Sequence, residues 1–276
     1  MAYINDYKIM DVFNAIDVHT GEMIIPARIF VAPSFDGGEP DFGQAQQRVI
    51  NTDEISYVYH IPDPRMEWPS VEGYGVHNGS GEVGYIIKGT YTIEYPDGTK
   101  AELKPGDYFV NEKGQPYRFI GTSDELGNAY AVFHGTKAQK VGNEPSGDHG
   151  TGHANGTTAE LNKIENTPDG IEAALIAEVD NLVVYDVVIK PGTVYPFDGW
   201  ISVNVPAITV VLSGRAAAVY PDQTYLIEEL FAILDNPGQP HKLSNIGEED
   251  LHLLVAYKAA AAKDVETKIE QILEFV

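Results

Sequence analysis

The chain has no cysteine in 276 residues, which removes disulfides, thiolate nucleophiles and thiolate metal ligands together. It also lacks any apolar run approaching the roughly 20 residues that a membrane-crossing helix needs. Basic residues are scarce: 18 Lys and Arg stand against 41 Asp and Glu, a formal charge of −23. Such a surface repels phosphate backbones and anionic headgroups, so neither nucleic acid nor membrane is an expected partner. The acids are scattered rather than gathered into one run, and their plainest role is solubility. Met1 to Phe13 has neither the basic head nor the apolar stretch of an export signal, and a cytoplasmic location is expected.

What the chain does have is a long internal repeat. Gly89 is followed by Tyr95-Pro96-Asp97 and then Gly114-Gln115-Pro116, while Gly214 is followed by Tyr220-Pro221-Asp222 and then Gly238-Gln239-Pro240. The offset is 125 residues at the first landmark and 124 at the last. A period this long, repeated once, indicates two complete domains of like fold rather than a solenoid. Each half is long enough to bury its own core.

Both halves read as strands. Tyr91 to Tyr95 alternates large apolar with polar residues, as a half-buried strand does. Leu182 to Ile189, Ile208 to Leu212 and Leu251 to Tyr257 are rich in β-branched and aliphatic residues. In Tyr95-Pro96-Asp97-Gly98, proline pre-sets φ and glycine accepts the left-handed region, so the chain should reverse there. Short strands with frequent turns predict barrels or sandwiches.

Between Val141 and Thr158 the apolar periodicity disappears into Gly, Asn, Ser and Thr, which predicts an interdomain linker. The expected division is therefore a first barrel over 1–140, a linker over 141–158 and a second barrel over 159–276. Val265, Ile269, Ile272, Leu273 and Val276 fall on one helical face. A short C-terminal helix is predicted from them, and its apolar stripe together with open strand edges predicts a homodimer.

Here the chain resembles the cupin superfamily. His77, Glu82 and Gly89, in GYGVHNGSGEVGYIIKG, match the second half of the first cupin motif. Pro105-Gly106-Asp107 followed by Gly114-Gln115-Pro116 resembles the second motif, whose closing histidine falls at Tyr117 and, in the second copy, at His241. The resemblance implies an all-β bicupin, two jelly-roll barrels in tandem. It also implies a metal held by two histidines two residues apart, a glutamate and a third histidine. Here those positions read Gly75, His77, Glu82 and Tyr117 in the first copy and, by counting back, Trp200, Ser202, Ala207 and His241 in the second.

One imidazole and one carboxylate hold a mid-series metal weakly, and two histidines with one carboxylate are the usual minimum. A third ligand would have to be recruited. Tyr117 is preferred for its place in the motif, with His60 and His134 as further candidates. The expected enzyme acts on a small organic substrate in the first barrel, with His77, Glu82 and Tyr117 as its metal-binding or proton-moving residues. The resemblance implies isomerase or lyase chemistry, or dioxygenase chemistry if iron is bound. Iron, manganese, nickel and zinc all fit the donor types, and no nucleotide cofactor is expected. The rival is a non-catalytic bicupin that keeps a ligand pocket without its metals.

Overall fold

The computed structural model describes residues 7–23, 28–30, 44–62, 64–69, 73–124, 127–137, 152–258 and 274–275. The chain forms two compact units, one of residues 25–160 and one of residues 1–24 with 161–276. Each consists of antiparallel sheets, and the fold class is all-β with jelly-roll barrels.

In the first unit a seven-stranded sheet runs His153–Thr157, Asp107–Asn111, Glu82–Lys88, Ala129–His134, Ser56–Pro62, Gln44–Asn51, Arg28–Phe30. A four-stranded sheet, Glu67–Trp68, Arg118–Gly121, Tyr91–Glu94, Lys100–Leu103, is the unit's other face. Side chains alternate in and out along Tyr91–Glu94, Asp107–Asn111 and Arg118–Gly121, as the two-residue strand period requires. The inward ones, among them Ile86, Tyr91, Ile93, Phe109, Phe119 and Tyr130, form one buried cluster. The second unit repeats the plan with two sheets of seven and four strands and a core that includes Ile9, Val211, Tyr220, Ile233 and Leu253.

The repeated landmarks carry the same backbone. Gly89 and Gly214 both have φ of 90°, in the left-handed region where glycine is at ease. Gly98, also positive in φ, donates its N–H to the Tyr95 carbonyl and closes the predicted turn. Gly114 donates to the carbonyl of His77, and Gly238 donates to the carbonyl of Val203.

The division differs from the predicted one at both boundaries. Tyr7–Asp11 is a strand of the second barrel, paired with Phe231–Asp235 on one side and with the short edge strand Ile16–Asp17 on the other. His153–Thr157, inside the predicted linker, is the matching strand of the first barrel, paired with Asp107–Asn111. Each strand covers the edge that Phe231–Asp235 or Asp107–Asn111 would otherwise leave open, and side-chain contacts fix the choice. His153 stacks on Tyr95 at 3.6 Å and meets Asp97 at 3.2 Å. Tyr7 stacks on Tyr220 at 3.7 Å and donates its hydroxyl to Asp222 at 3.0 Å. Glycine-rich composition hid the first of these strands. The predicted C-terminal helix lies outside the described residues, save that Glu274–Phe275 are strand, paired with Ile201–Ser202.

Candidate metal centre

Glu82 opens the strand Glu82–Lys88 and is flanked in register by Asn111 on one side and His134 on the other. His77 approaches from the preceding segment, tied by its carbonyl to Gly114. The Glu82 Oε2 atom lies 3.5 Å from His77 Nε2 and 4.0 Å from His134 Nδ1. One ligand atom from each of these three residues falls within 4.8 Å of the others, and no other such group exists among the described residues. The glutamate is 1% exposed.

The two carboxylate oxygens have different surroundings. Oε1 accepts from Asn111 Nδ2 at 2.9 Å, and Asn111 Oδ1 accepts in turn from the Tyr95 hydroxyl at 2.9 Å. Oε2, buried and facing the two imidazoles, has no hydrogen-bond partner among the described residues. A buried acceptor left unpaired is costly unless something unseen satisfies it. Burial, and after it the charges of His77, His60 and Arg48, hold His134 well below the usual histidine pKa. It is a neutral imidazole with a lone pair to give, the form that ligates metals.

Of the residues singled out on sequence, three come together with Glu82 at their centre: His77, Glu82 and His134. Tyr117 lies beside them, its ring 6.3 Å from that of His77. Burial first, then the Glu82 carboxylate, keep its hydroxyl well above 10, so it is a phenol and not a phenolate. His60 stacks on Tyr130 at 4.4 Å and is held to about 3 by burial and by His77. It stands outside the ligand group.

The departure at Gly75 has a steric cause. A Cβ there would sit 2.5 Å from the Trp68 indole, so no histidine enters without displacing that ring. Trp68 also stacks near His77 and Tyr117, at 5.5 and 4.6 Å, and forms a wall of the site. The Tyr95–Asn111 relay behind Glu82 was missed on sequence. Its only signal was the Tyr-Pro-Asp landmark, which reads as a turn.

Among its described residues the second barrel lacks this constellation. By register, Ala207 takes the place of Glu82, flanked by Asp235 and Tyr257 where Asn111 and His134 stood. The shared hydrogen bond to Gly114 and Gly238 pairs His77 with Val203, and the Gly75–Tyr117 bridge corresponds to an Ile201–His241 bridge. Counting back by a fixed offset had named Trp200 and Ser202 instead. One residue fewer stands between Val203 and Ala207 than between His77 and Glu82, and that deletion shifts the count.

Residues 69–133 match the cupin domain family profile. Solved structures of the same fold span most of the chain. The fold is the cupin fold. A glyoxylate-induced protein from Pseudomonas aeruginosa, named as putative, is similar at 13% identity with a TM-score of 0.66, covering 96% of this chain and 92% of that one. The E. coli protein YlbA is 11% identical with a TM-score of 0.61, covering 96% and 97%. Bacillus subtilis oxalate decarboxylase, in a structure described through its Mn(II) centres, is 14% identical with a TM-score of 0.58, covering 89% and 80%. No curated protein sequence matches the chain. At these identities the likeness establishes the cupin fold alone.

Proposed function

We propose that the first barrel of this cupin holds one divalent metal ion through His77, Glu82 and His134 and acts on a small organic molecule bearing a carbonyl or carboxylate. The observation that carries the reading is the unpartnered Glu82 Oε2, buried and aimed at two imidazoles. Two histidines and a carboxylate are the donor set of mid-series metals with open coordination positions. The residues present fit such an ion without rearrangement of type or number. Manganese is the first candidate, given the Mn(II) centres named for the oxalate decarboxylase neighbour.

Such an ion, when bound, supplies a Lewis acid for an oxygen of the substrate. The chain's own residues do the rest. Asn111, fixed by Tyr95, holds Oε1 so that the carboxylate cannot turn away, a positioning role that commonly tunes metal sites. Tyr117, a neutral phenol next to the carboxylate, offers its proton to a substrate oxygen. Trp68 and the packed aromatic core around Phe109 and Phe119 exclude water, which strengthens each polar interaction inside. These parts suit proton-transfer chemistry of the lyase or isomerase kind.

The test is metal content. Protein purified without chelator and titrated with Mn(II) should retain about one ion per chain by elemental analysis. His77→Ala and His134→Ala should each reduce this to background while leaving the fold intact by circular dichroism. His60→Ala should retain the ion. Wild-type protein that takes up no divalent ion, or uptake indifferent to His134→Ala, would remove the reading.

A further inference from the structure

The second barrel replaces the candidate metal centre with an apolar chamber. The cavity has a volume of about 160 Å³ and its walls include Ala173, Val187, Ile189, Leu243, Tyr185 and His241. By register, Val187 pairs with Leu253 where His60 pairs with Tyr130 in the first barrel. Tyr257, another wall residue, stands at the position of His134. Thr209, also on the wall, faces Ile233 where Gly84 faces Phe109. In the first barrel that ring lies so close that a Cβ on Gly84 would sit 2.0 Å from it. Losing the ring leaves space, and losing the imidazoles and the carboxylate leaves it apolar.

Of the polar groups in this wall, two are placed to anchor a ligand. The Tyr185 hydroxyl is buried with no hydrogen-bond partner, and the residue is 4% exposed. His241 turns Nδ1 towards the Gln239 carbonyl at 3.2 Å and the Asp235 carboxyl at 3.7 Å, which leaves Nε2 as the ring nitrogen free for another contact. Asp235 is itself fixed by the Tyr220 hydroxyl at 2.8 Å. A buried hydroxyl with no partner, in the wall of an otherwise oily chamber, lacks only an acceptor.

We propose that the second barrel is a binding site for a small, uncharged, largely apolar molecule of about one ring that carries a single hydroxyl or carbonyl oxygen, anchored by Tyr185 and His241. Size sets the ring, since an apolar protein cavity of about 150 Å³ accepts benzene. Charge excludes the alternatives. No carboxylate lines the wall to receive a cation, and an anion placed at His241 would also face Asp235.

The experiment is calorimetric titration of the full chain with p-cresol, with benzoate and glycerol as the anionic and the polar comparison. p-Cresol should saturate one site per chain and bind more tightly than either. Tyr185→Phe should weaken it about tenfold, the loss of one buried hydrogen bond. Ala173→Leu and Val187→Phe fill the chamber by different routes, and whichever folds, by circular dichroism and melting, should abolish binding. Glu82→Ala should leave it unchanged, which separates this site from the first barrel. No saturation in wild-type protein, benzoate bound more tightly than p-cresol, binding undiminished in a folded filling variant, or loss of binding in Glu82→Ala would each overturn the proposal.

Discussion

The two barrels keep one scaffold and differ in what it encloses. Both use a left-handed glycine after the same strand, a tyrosine that donates to the same place on the neighbouring strand, and an added strand stacked on that tyrosine. Inside, Glu82, His77 and His134 of the first barrel become Ala207, Val203 and Tyr257 in the second. The carboxylate is not lost so much as moved one strand over, because Asp235 stands where the first barrel has Asn111. A metal centre needs its charge on the strand that faces two imidazoles. Moved across, the same charge faces one, and a divalent ion has too few donors. Scaffold and chemistry thus vary independently, the general condition for one fold to serve unrelated purposes.

The sharpest way to break the comparison is at Gly84. A Cβ added there meets the Phe109 ring at 2.0 Å, and the ring is buried with little room to retreat. Gly84→Ala should destabilise the first barrel by about 3 kcal/mol or more, in the range of severe overpacking. The second barrel tolerates Thr209 at this position because Ile233 replaces the aromatic ring. Combining Gly84→Ala with Phe109→Ile should therefore restore much of the loss in thermal melts. A double variant no better than the single one would mean that the two barrels fill this layer differently.

A smaller effect is expected behind the carboxylates. Tyr95→Phe and Tyr220→Phe each delete one buried hydrogen bond, to Asn111 and to Asp235, and should cost about 1 kcal/mol apiece in melting experiments. Their functional consequences should differ. Only Tyr95 stands behind a carboxylate with two imidazoles before it, so Tyr95→Phe should also weaken Mn(II) affinity by roughly tenfold or more. Tyr220→Phe should leave Mn(II) binding untouched. Equal effects on the metal would show that the relay acts through stability alone.

Much of this was legible in the sequence, for reasons that can be located. The repeat, the turn at Tyr95-Pro96-Asp97-Gly98 and the strands of both halves follow from local rules: period-two alternation and the φ demands of proline and glycine. His77 and Glu82 were legible because only five positions separate them. His134 was harder to place. It enters the site through strand pairing 52 residues beyond Glu82, and nothing local distinguishes it from His60, which also sits in a strand and lies just outside the group. Tyr117 was favoured over both by its position in the motif, yet its ring belongs to the apolar cluster. The added strands were illegible for a related reason. Tyr7–Asp11 belongs to the barrel that begins some 150 residues later, and only long-range pairing decides that.

The smallest expected effect tests whether the displaced carboxylate is a stabilising feature of the second barrel or a burden on it. Asp235 is 3% exposed, and burial raises its pKa above the usual 3.8, against the opposing pull of His241 and of the Tyr220 hydrogen bond. A carboxyl whose folded pKa is raised favours the folded state fully when it is protonated in both states, below about 3.8. That contribution is lost as pH rises through the folded value. Asp235→Asn makes the residue permanently neutral and copies Asn111, whose Oδ1 accepts from Tyr95 as Asp235 Oδ1 does from Tyr220. The variant should melt with the wild type at pH 3 and a few degrees above it at pH 7, the gap opening as pH rises past the ordinary carboxylate range. A variant that melts lower at pH 7 would give the opposite answer. The attraction between Asp235 and His241 would then outweigh the cost of burying the charge, and the second barrel would hold a stabilising ion pair beside its apolar chamber.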